Sequence, residues 1–228
     1  MMFSLGSRIG SVAVAIATPF VIVAGAVLLV LNPVWVGFDQ DRSGVAALTG
    51  YSESQVRQVT GSILSDLVFG PPSFDVAVNG TPVLDERERS HMADVRTLLL
   101  ELGLLALIAA IVVATAGIGS RGGRWFWQAL RSGARLTIVG VAIVGLGFVV
   151  FFDQAFEFFH EVFFAAGSYS FNPEQEKLVQ LFPDQFWSET SAGIAAAVLL
   201  IALAVGYVTG KQASRLPGQA ALAPEAAR

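Results

Sequence analysis

Cysteine is absent from this sequence, and its absence excludes disulfide bridges, a thiol nucleophile and thiolate ligands for a metal. Charged side chains are also scarce, at 14% of the 228 residues, whereas 54% of the residues are apolar. An ordinary soluble domain carries about 25% charged residues. Histidine, the side chain best suited to proton transfer near neutral pH, occurs only twice. The composition therefore indicates an integral membrane protein with few residues that can carry chemistry.

Four apolar runs are long enough, or nearly so, to cross the roughly 30 Å hydrocarbon core of a bilayer as helices. They cover residues 11–31, 98–118, 136–152 and 192–208, and their only charged residue is Glu101, near the start of the second run. The first run exceeds the roughly 7–15 apolar residues of a cleaved signal peptide, and no small-x-small cleavage site follows it. We therefore expect four transmembrane helices, the first of them retained as an anchor.

Basic residues set the expected orientation. Residues 1–10, 119–135 and 209–228 together hold eight lysines or arginines and a single acid, Glu225, whereas residues 32–97 and 153–191 hold most of the acids. Short basic loops remain in the cytoplasm, so both chain ends and the 119–135 loop are predicted to be cytoplasmic, with a disordered tail. Because Trp125 and Trp127 suit the headgroup layer, we interpret that loop as a topology signal and expect no nucleic-acid partner.

The extracytoplasmic segment 32–97 is long enough to have its own structure. Ser52 and Gln55 form a capping-box pattern at the start of a predicted helix. Asn79-Gly80 predicts a small hairpin with a type I′ turn, which we expect to pack on that helix or on the bilayer surface. Asp85 and Glu88 then cap a second helix that continues into the second membrane span.

The extracytoplasmic segment 153–191 is rich in aromatic residues, with eight phenylalanines as well as Tyr169 and Trp187. We expect its first part to extend the third helix or to lie along the membrane surface. Asn172-Pro173 with Gln175 predicts the start of a further helix. The predicted fold is thus an all-α membrane protein: a bundle of four transmembrane helices with a small α/β insertion between helices 1 and 2 and an aromatic outer segment between helices 3 and 4.

Both histidines lie just outside the predicted spans, and each has an acid three residues away on its own helix. Asp94 accompanies His91, and Glu157 accompanies His160. A carboxylate within reach fixes which ring nitrogen carries the proton, so the two pairs are candidates for acid–base chemistry, and the rings are expected within about 10 Å of each other.

Other interpretations stay open. The histidines are also compatible with a structural role at the membrane surface. The Glu157-x-x-His160 spacing occurs in carboxylate metal sites, for which His91, Asp94 and Glu161 would be the further ligands. Arg87, Arg89 and Arg96 are candidates for binding phosphate or carboxylate groups, against the alternative of ordinary solvated surface.

Three stretches together resemble the bacterial lipoprotein intramolecular transacylase family. They are His91-Met92-x-Asp94-Val95, Phe159-His160-Glu161-x-Phe163-Phe164, and Phe171-Asn172-Pro173 through Leu181-Phe182-Pro183-x-x-Phe186. Helix number, order and loop lengths agree as well, so the resemblance spans residues 8 to 209. It implies movement of the sn-2 acyl chain of a diacylglyceryl-modified N-terminal cysteine onto the amino group of that cysteine.

The resemblance also implies roles for individual residues. His91 and His160 become the catalytic residues, with Asp94, Glu157 and Glu161 in support. The expected contacts to acyl chains are aromatic: Phe159, Phe163, Phe164, Phe182, Phe186 and Trp187. Membrane lipid and a diacylglyceryl lipoprotein are the expected partners, and neither a cofactor nor a metal is expected. Two rivals remain, a non-catalytic scaffold or transport accessory and a metal-dependent membrane hydrolase; the oligomeric state is left open.

Overall fold

The computed structural model describes residues 5–216, and the predictions for the first four residues and for the end of the tail lie outside that range. Four helices are long and apolar enough to cross a membrane: α1 (Leu5–Val30), α5 (Glu86–Gly119), α6 (Arg124–Val150) and α9 (Asp184–Arg215). The predicted all-α membrane fold with four spanning helices is confirmed. The helices are longer than the apolar runs because they continue into the polar flanks; α6, for example, includes most of the predicted 119–135 loop.

The length of α5 matters for the site. Its 34 residues make a helix of about 51 Å, well beyond the roughly 30 Å of a hydrocarbon core. Since its apolar run begins at Leu98, the first twelve residues form an extension outside the membrane-crossing part. The sequence predicted this continuous helix from Asp85 and Glu88, and the capping box is present. The Asp85 amide donates to Glu88 Oε2, and the Glu88 amide donates to Asp85 Oδ1, at 2.7 and 2.8 Å.

The chain divides into two compact units. The first comprises the described parts of residues 1–25, 104–143 and 197–228, and it consists of portions of the four long helices. Two of these helices, α6 and α1, approach each other closely at Gly133 in α6. A Cβ atom added at Gly133 would lie 2.5 Å from the Cβ atom of Thr18 in α1. Val14, Phe126 and Ala129 form a small buried cluster in this unit.

The second unit comprises residues 26–103 and 144–196 and contains the insertion. Its short elements are α2 (Pro33–Arg42), α3 (Val45–Thr49), α4 (Glu53–Val68), β1 (Ala77–Val78), β2 (Thr81–Pro82), α7 (Phe152–Phe163) and α8 (Lys177–Leu181). The Ser52–Gln55 capping box begins α4 as predicted. Asn79 and Gly80 both have positive φ angles, 52° and 80°, as a type I′ turn requires, and β1 pairs antiparallel with β2.

The hairpin packs on α4, which was one of the two expected positions. Phe74, Val76, Val83 and Leu84 are buried with the apolar face of α4 in one hydrophobic core. Buried polar groups join more distant segments to this core. Gln40 in α2 donates to the Leu181 carbonyl at 2.9 Å and accepts from Thr60, while Asp39 Oδ2 accepts from Thr190 in α9 at 2.5 Å. The insertion is therefore fixed to α8 and to the start of α9.

Two details of the outer segments differ from the expectation. Asn172 does not begin a helix: its side chain accepts from the Glu174 amide in a local turn, and α8 begins only at Lys177. This competing side-chain bond is the reason that asparagine favours turns as well as helix starts. The helix α2 was not predicted from the sequence. Its start nevertheless has two features typical of helices, because Asn32 caps it and Pro33 occupies its first position.

Candidate active site

His91 lies in the second turn of α5, outside the membrane-crossing run, and only 7% of it is exposed. Two phenylalanine rings contact it edge-on, Phe164 at 4.8 Å and Phe171 at 5.4 Å between ring centroids. Its Nδ1 atom is buried and has no hydrogen-bond partner among residues 5–216. A buried polar atom without a partner costs free energy, so this atom is available to a group that the protein itself does not supply.

His160 lies in the last turn of α7, three residues before the helix ends at Phe163. Its Nδ1 lies 2.7 Å from the Phe156 carbonyl oxygen. Because a carbonyl oxygen only accepts hydrogen bonds, Nδ1 carries the proton, and in the neutral ring Nε2 holds a free lone pair. Backbone geometry therefore selects the tautomer in which Nε2 can act as a base.

The two imidazole rings face each other. Their centroids are 6.1 Å apart and the rings are inclined by 25°, so the expected separation of less than about 10 Å is confirmed. The contact brings α5 and α7 together outside the predicted spans, and a single ester or amine can lie within hydrogen-bond reach of both rings.

Burial first, and the neighbouring His160 second, lower the pKa of His91 to about 4, although Asp94 opposes both effects. Removing the ring from water penalises its charged form, and a second cation nearby does the same. His91 is therefore neutral at pH 7 and presents one N–H donor and one acceptor nitrogen.

The carboxylates do not take the positions that the sequence predicted. Within the described chain, neither Asp94 nor Glu157 forms a hydrogen bond to a histidine ring. Asp94 and Glu161 are exposed, and Glu157 Oε1 accepts a long hydrogen bond of 3.5 Å from the Tyr169 hydroxyl. The physical reason at His160 is that the Phe156 carbonyl, one turn back on the same helix, already occupies Nδ1.

A cleft of about 360 Å³ adjoins the histidines and shares Phe164 with them. It is lined by Asp94, Thr97, Leu98, Glu101, Val162, Phe163, Phe164 and Ala165. Its polar lining residues, Asp94, Thr97 and Glu101, all lie on α5, and its other five lining residues are apolar. A cleft that combines the two has the character of a site for an amphipathic ligand.

The aromatic residues predicted to contact acyl chains divide by exposure. Phe159 and Phe163 are exposed, at 38% and 49%, and Trp187 is 37% exposed. Phe164 is buried against His91, and Phe182 is partly buried against the insertion core. Phe186 lies inside that core and is only 3% exposed, so little of its ring is accessible to an acyl chain.

The three arginines considered for anion binding are engaged with the protein. Arg87 pairs with Glu176 and lies 4.9 Å above the Phe171 ring. Arg89 pairs with Asp75 at 3.6 Å, and Arg96 donates to a backbone carbonyl. As for the metal alternative, residues 5–216 contain no group of three or more histidine, aspartate or glutamate side chains placed to hold an ion.

Sequence reasoning missed Phe156 and Phe171 as members of the site. Phe156 provides the carbonyl for His160 and packs on its ring at 4.3 Å, and Phe171 covers His91. The signal for Phe156 was its position, four residues before His160 on one helix face. No short-range signal marks Phe171, since it reaches His91 from a loop 80 residues away in the chain.

Comparisons with known proteins agree with this arrangement. The structure is similar to that of the membrane-integral lipoprotein intramolecular transacylase Lit from Bacillus cereus, with a TM-score of 0.79 and 19% identity over 92% of this chain and 97% of that one. Two further structures of the Bacillus cereus protein, with a histidine replaced by arginine or by alanine, match with TM-scores of 0.76 and 0.77 at 18% identity. Both matches cover 92% of this chain. They cover 93% of the arginine variant and 94% of the alanine variant.

At this level of identity the structures establish a shared fold. No curated protein sequence matches the chain. A family model, however, matches residues 12–187, which contain both histidines and three of the four spanning helices in full or in large part. The resemblance stated from the sequence motifs is thereby confirmed: this chain belongs to the lipoprotein intramolecular transacylase family, Lit.

Proposed function

We propose that this protein transfers an acyl chain within a diacylglyceryl lipoprotein, from the glyceryl ester to the amino group of the N-terminal cysteine. Family membership gives the reaction class, and the observation that carries the proposal is the pair of facing imidazole rings 6.1 Å apart beside an amphipathic cleft. Donor ester and acceptor amine belong to one substrate molecule, so proximity replaces a second binding site.

His160 is the proposed base. Its Nε2 takes a proton from the cysteine amine as the nitrogen attacks the ester carbonyl carbon. When the bond between that carbon and the glyceryl oxygen breaks, the imidazolium returns the proton to the leaving oxygen. The amide is formed, the ester is lost, and the histidine ends as it began. The hydrogen bond from Nδ1 to the Phe156 carbonyl supports this assignment, because it leaves the Nε2 lone pair free.

His91 is the proposed partner for the developing oxyanion. A neutral imidazole can donate one N–H to the carbonyl oxygen as negative charge builds on it. The low pKa of about 4 keeps the ring neutral, so it does not compete with His160 for the proton of the amine. Asp94 and Glu161 support the pair electrostatically, and the exposed rings of Phe159 and Phe163 contact the acyl chains.

The experiment that tests the reaction is mass spectrometry of lipoprotein N termini in a bacterium that makes diacylated lipoproteins. Expression of this chain is expected to move one acyl chain to the cysteine nitrogen without changing the total number of chains. An enzyme that used phospholipid would add a chain, and a lipase would remove one. Unchanged lipoprotein peptides in the presence of well-expressed protein would contradict the proposal.

Alanine at His91 or His160 is expected to reduce the acyl shift by about 10²- to 10⁴-fold, as for loss of an acid–base group. Asp94→Asn and Glu157→Gln serve as comparison variants and are expected to be milder, because neither carboxylate hydrogen-bonds a histidine ring. The amount of each variant in the membrane fraction is the control. Full function after replacement of both histidines would favour a scaffold, and loss of activity with chelators would favour a metal-dependent hydrolase.

We propose further that both chain ends are cytoplasmic and that the histidines act at the outer leaflet. The distribution of basic residues supports this orientation. Because the sequence contains no cysteine, single cysteines can report on it directly. Cysteines at Ser54 and Ser168 are expected to react with membrane-impermeant thiol reagents in intact cells, whereas one at Ser132 is not. Labelling at Ser132 alone would reverse the orientation.

A further inference from the structure

Tyr169 occupies a position beside His160 that neither the sequence motifs nor the proposed mechanism uses. Its ring lies 5.1 Å from the His160 ring between centroids, inclined by 37°. The other aromatic rings on His160 come from α7 and its end, Phe156, Phe159 and Phe164. Among the aromatic rings that contact His160 in residues 5–216, those of Tyr169 and His91 come from outside α7 and its end and carry a polar group.

The loop that carries Tyr169 is built to return to α7. Phe164 caps the helix through its amide and the His160 carbonyl, at 2.9 Å. Gly167 then adopts a φ of +83°, a left-handed conformation that side chains rarely adopt, and Ser168 closes the turn onto the Ala165 carbonyl. Tyr169 therefore returns to the helix face that carries His160 by a defined turn.

The Tyr169 hydroxyl also explains why the Glu157 carboxylate does not pair with His160. Glu157 stands three residues before His160 on α7, at a spacing that would let its carboxylate approach the imidazole. In the structure its Oε1 atom accepts from the Tyr169 hydroxyl at 3.5 Å instead. One hydrogen bond thus draws the carboxylate toward the loop and holds the phenol ring against His160.

We propose that Tyr169 is a positioning residue for His160: its ring fixes the plane of the imidazole, and its hydroxyl keeps the Glu157 carboxylate from pairing with that imidazole. The role of Tyr169 in the reaction rests on the proposed transacylase function. The contacts of Tyr169 with His160 and Glu157 are observed independently of that function. A carboxylate that pairs with an imidazole stabilises its charged form. A Glu157 carboxylate held on the Tyr169 hydroxyl therefore does not retain on His160 the proton that must pass to the leaving oxygen.

The charged and titratable groups around His160 limit the possible outcomes. On α7 they are Glu157 and Glu161, both of which act on Tyr169. From α5, His91 faces the ring, and Asp94 acts on His91. Of these groups, only Glu157 loses a hydrogen bond when the Tyr169 hydroxyl is removed. Any change at His160 that follows this loss and needs Glu157 can therefore be traced to the Tyr169–Glu157 contact.

The experiment titrates the ring signals of histidine-labelled full-length protein by NMR in lipid nanodiscs. The chain has two histidines, so a His91→Asn variant identifies the signal of His160. Tyr169→Phe keeps the ring and removes the hydroxyl. The midpoint measured for His160 is expected to lie at higher pH in Tyr169→Phe than in the wild-type protein, since an opposite charge that comes near favours the charged form. The acid limb of the pH profile of the acyl-shift rate is expected to move to higher pH as well. At neutral pH the rate is expected to fall about 2- to 10-fold, as for loss of one hydrogen bond.

Adding Glu157→Gln to Tyr169→Phe is expected to return the midpoint to the wild-type value, which a general loss of packing would not do. Tyr207→Phe is the matched control, because it removes the same hydroxyl from a ring that contacts Lys211 in α9 and is expected to leave the titration unchanged. A wild-type midpoint in Tyr169→Phe, or a shift that persists in the double variant, overturns the inference. An inactive wild-type protein would overturn the proposed function instead, and the titration would still decide the role of Tyr169.

Discussion

Glu88 offers the sharpest test of how the outer segments are held over the histidines. It is 2% exposed, one turn before His91 on α5, and both of its carboxylate oxygens accept backbone hydrogen bonds. Oε1 accepts from the Leu178 amide in α8 and Oε2 from the Asp85 amide, each at 2.7 Å. One side chain therefore caps its own helix and anchors α8, which follows the Phe171 loop in the chain.

The magnitude follows from counting these bonds. Replacement by alanine leaves the buried Leu178 amide without an acceptor, at about 1–3 kcal/mol, and removes the part-buried hydrogen bond from the Asp85 amide, at about 0.5–1.5 kcal/mol. We therefore expect a loss of about 1.5–4.5 kcal/mol in the stability of this segment. Glu88→Gln keeps one acceptor oxygen and loses the other. Burial raises the pKa of Glu88, which means that the charged form is penalised for leaving water, and the neutral amide avoids this penalty. We therefore expect the glutamine variant to lose only about 1–2 kcal/mol.

Hydrogen exchange measured by mass spectrometry on peptides that cover α8 is the appropriate assay. A loss of about 1.4 kcal/mol corresponds to a tenfold change in an opening equilibrium, so exchange is expected to accelerate about 5- to 30-fold in Glu88→Gln and more in Glu88→Ala. Glu86→Gln is the matched control, because the same substitution on an exposed residue of the same helix turn leaves no buried amide unpaired. Wild-type exchange of α8 in Glu88→Ala would refute the reasoning.

Three further predictions concern other parts of the protein. Gly133→Ala is expected to destabilise the contact between α6 and α1 by about 1–3 kcal/mol, while Gly140→Ala, which meets open space, does not; thermal unfolding in one detergent compares them. Burial raises the pKa of Asp39 above its ordinary value of 3.8, so the protonated form of Asp39 favours folding. This contribution to stability is lost as the pH rises through the raised pKa. An Asp39→Asn variant is therefore expected to flatten the pH dependence of the free energy of unfolding. Removal of the His160 ring in His160→Asn is expected to raise the pKa of His91 from about 4 while leaving it below 6.5, because burial persists; NMR titration of the remaining histidine measures it.

Local signals predicted the local structure well. The Ser52 capping box, the Asn79-Gly80 turn and the helix start at Asp85 each involve residues within three positions of one another, and all three are present. Hydropathy also located the four spanning helices, because this signal is local as well. In a membrane helix, all backbone hydrogen bonds are formed within the apolar run itself.

Interactions across the chain could not be predicted in this way. The Asp39–Thr190 hydrogen bond joins residues 151 positions apart, and Glu88 reaches an amide 90 positions away. At His160 the sequence contains an acid three residues back, whereas the carbonyl four residues back accepts the hydrogen bond from Nδ1. Both partners fit the helical spacing, and the rotamer that decides between them depends on the rings of Phe164 and Tyr169, which only the folded chain brings into place.

The aromatic surroundings of the two histidines have a consequence for the proposed chemistry. An ester carbonyl activated beside a base is open to attack by water as well as by an amine, and water attack would release a fatty acid instead of moving it. His91 is covered by Phe164 and Phe171, and His160 by the rings of its own helix and of Tyr169. These rings leave only 7% of His91 exposed and cover His160 in part, and exclusion of water also strengthens the hydrogen bonds that the substrate makes. The same burial that lowers the pKa of His91 therefore favours transfer over hydrolysis, so opening the cover by Phe171→Ala is expected to increase the release of free fatty acid relative to the acyl shift.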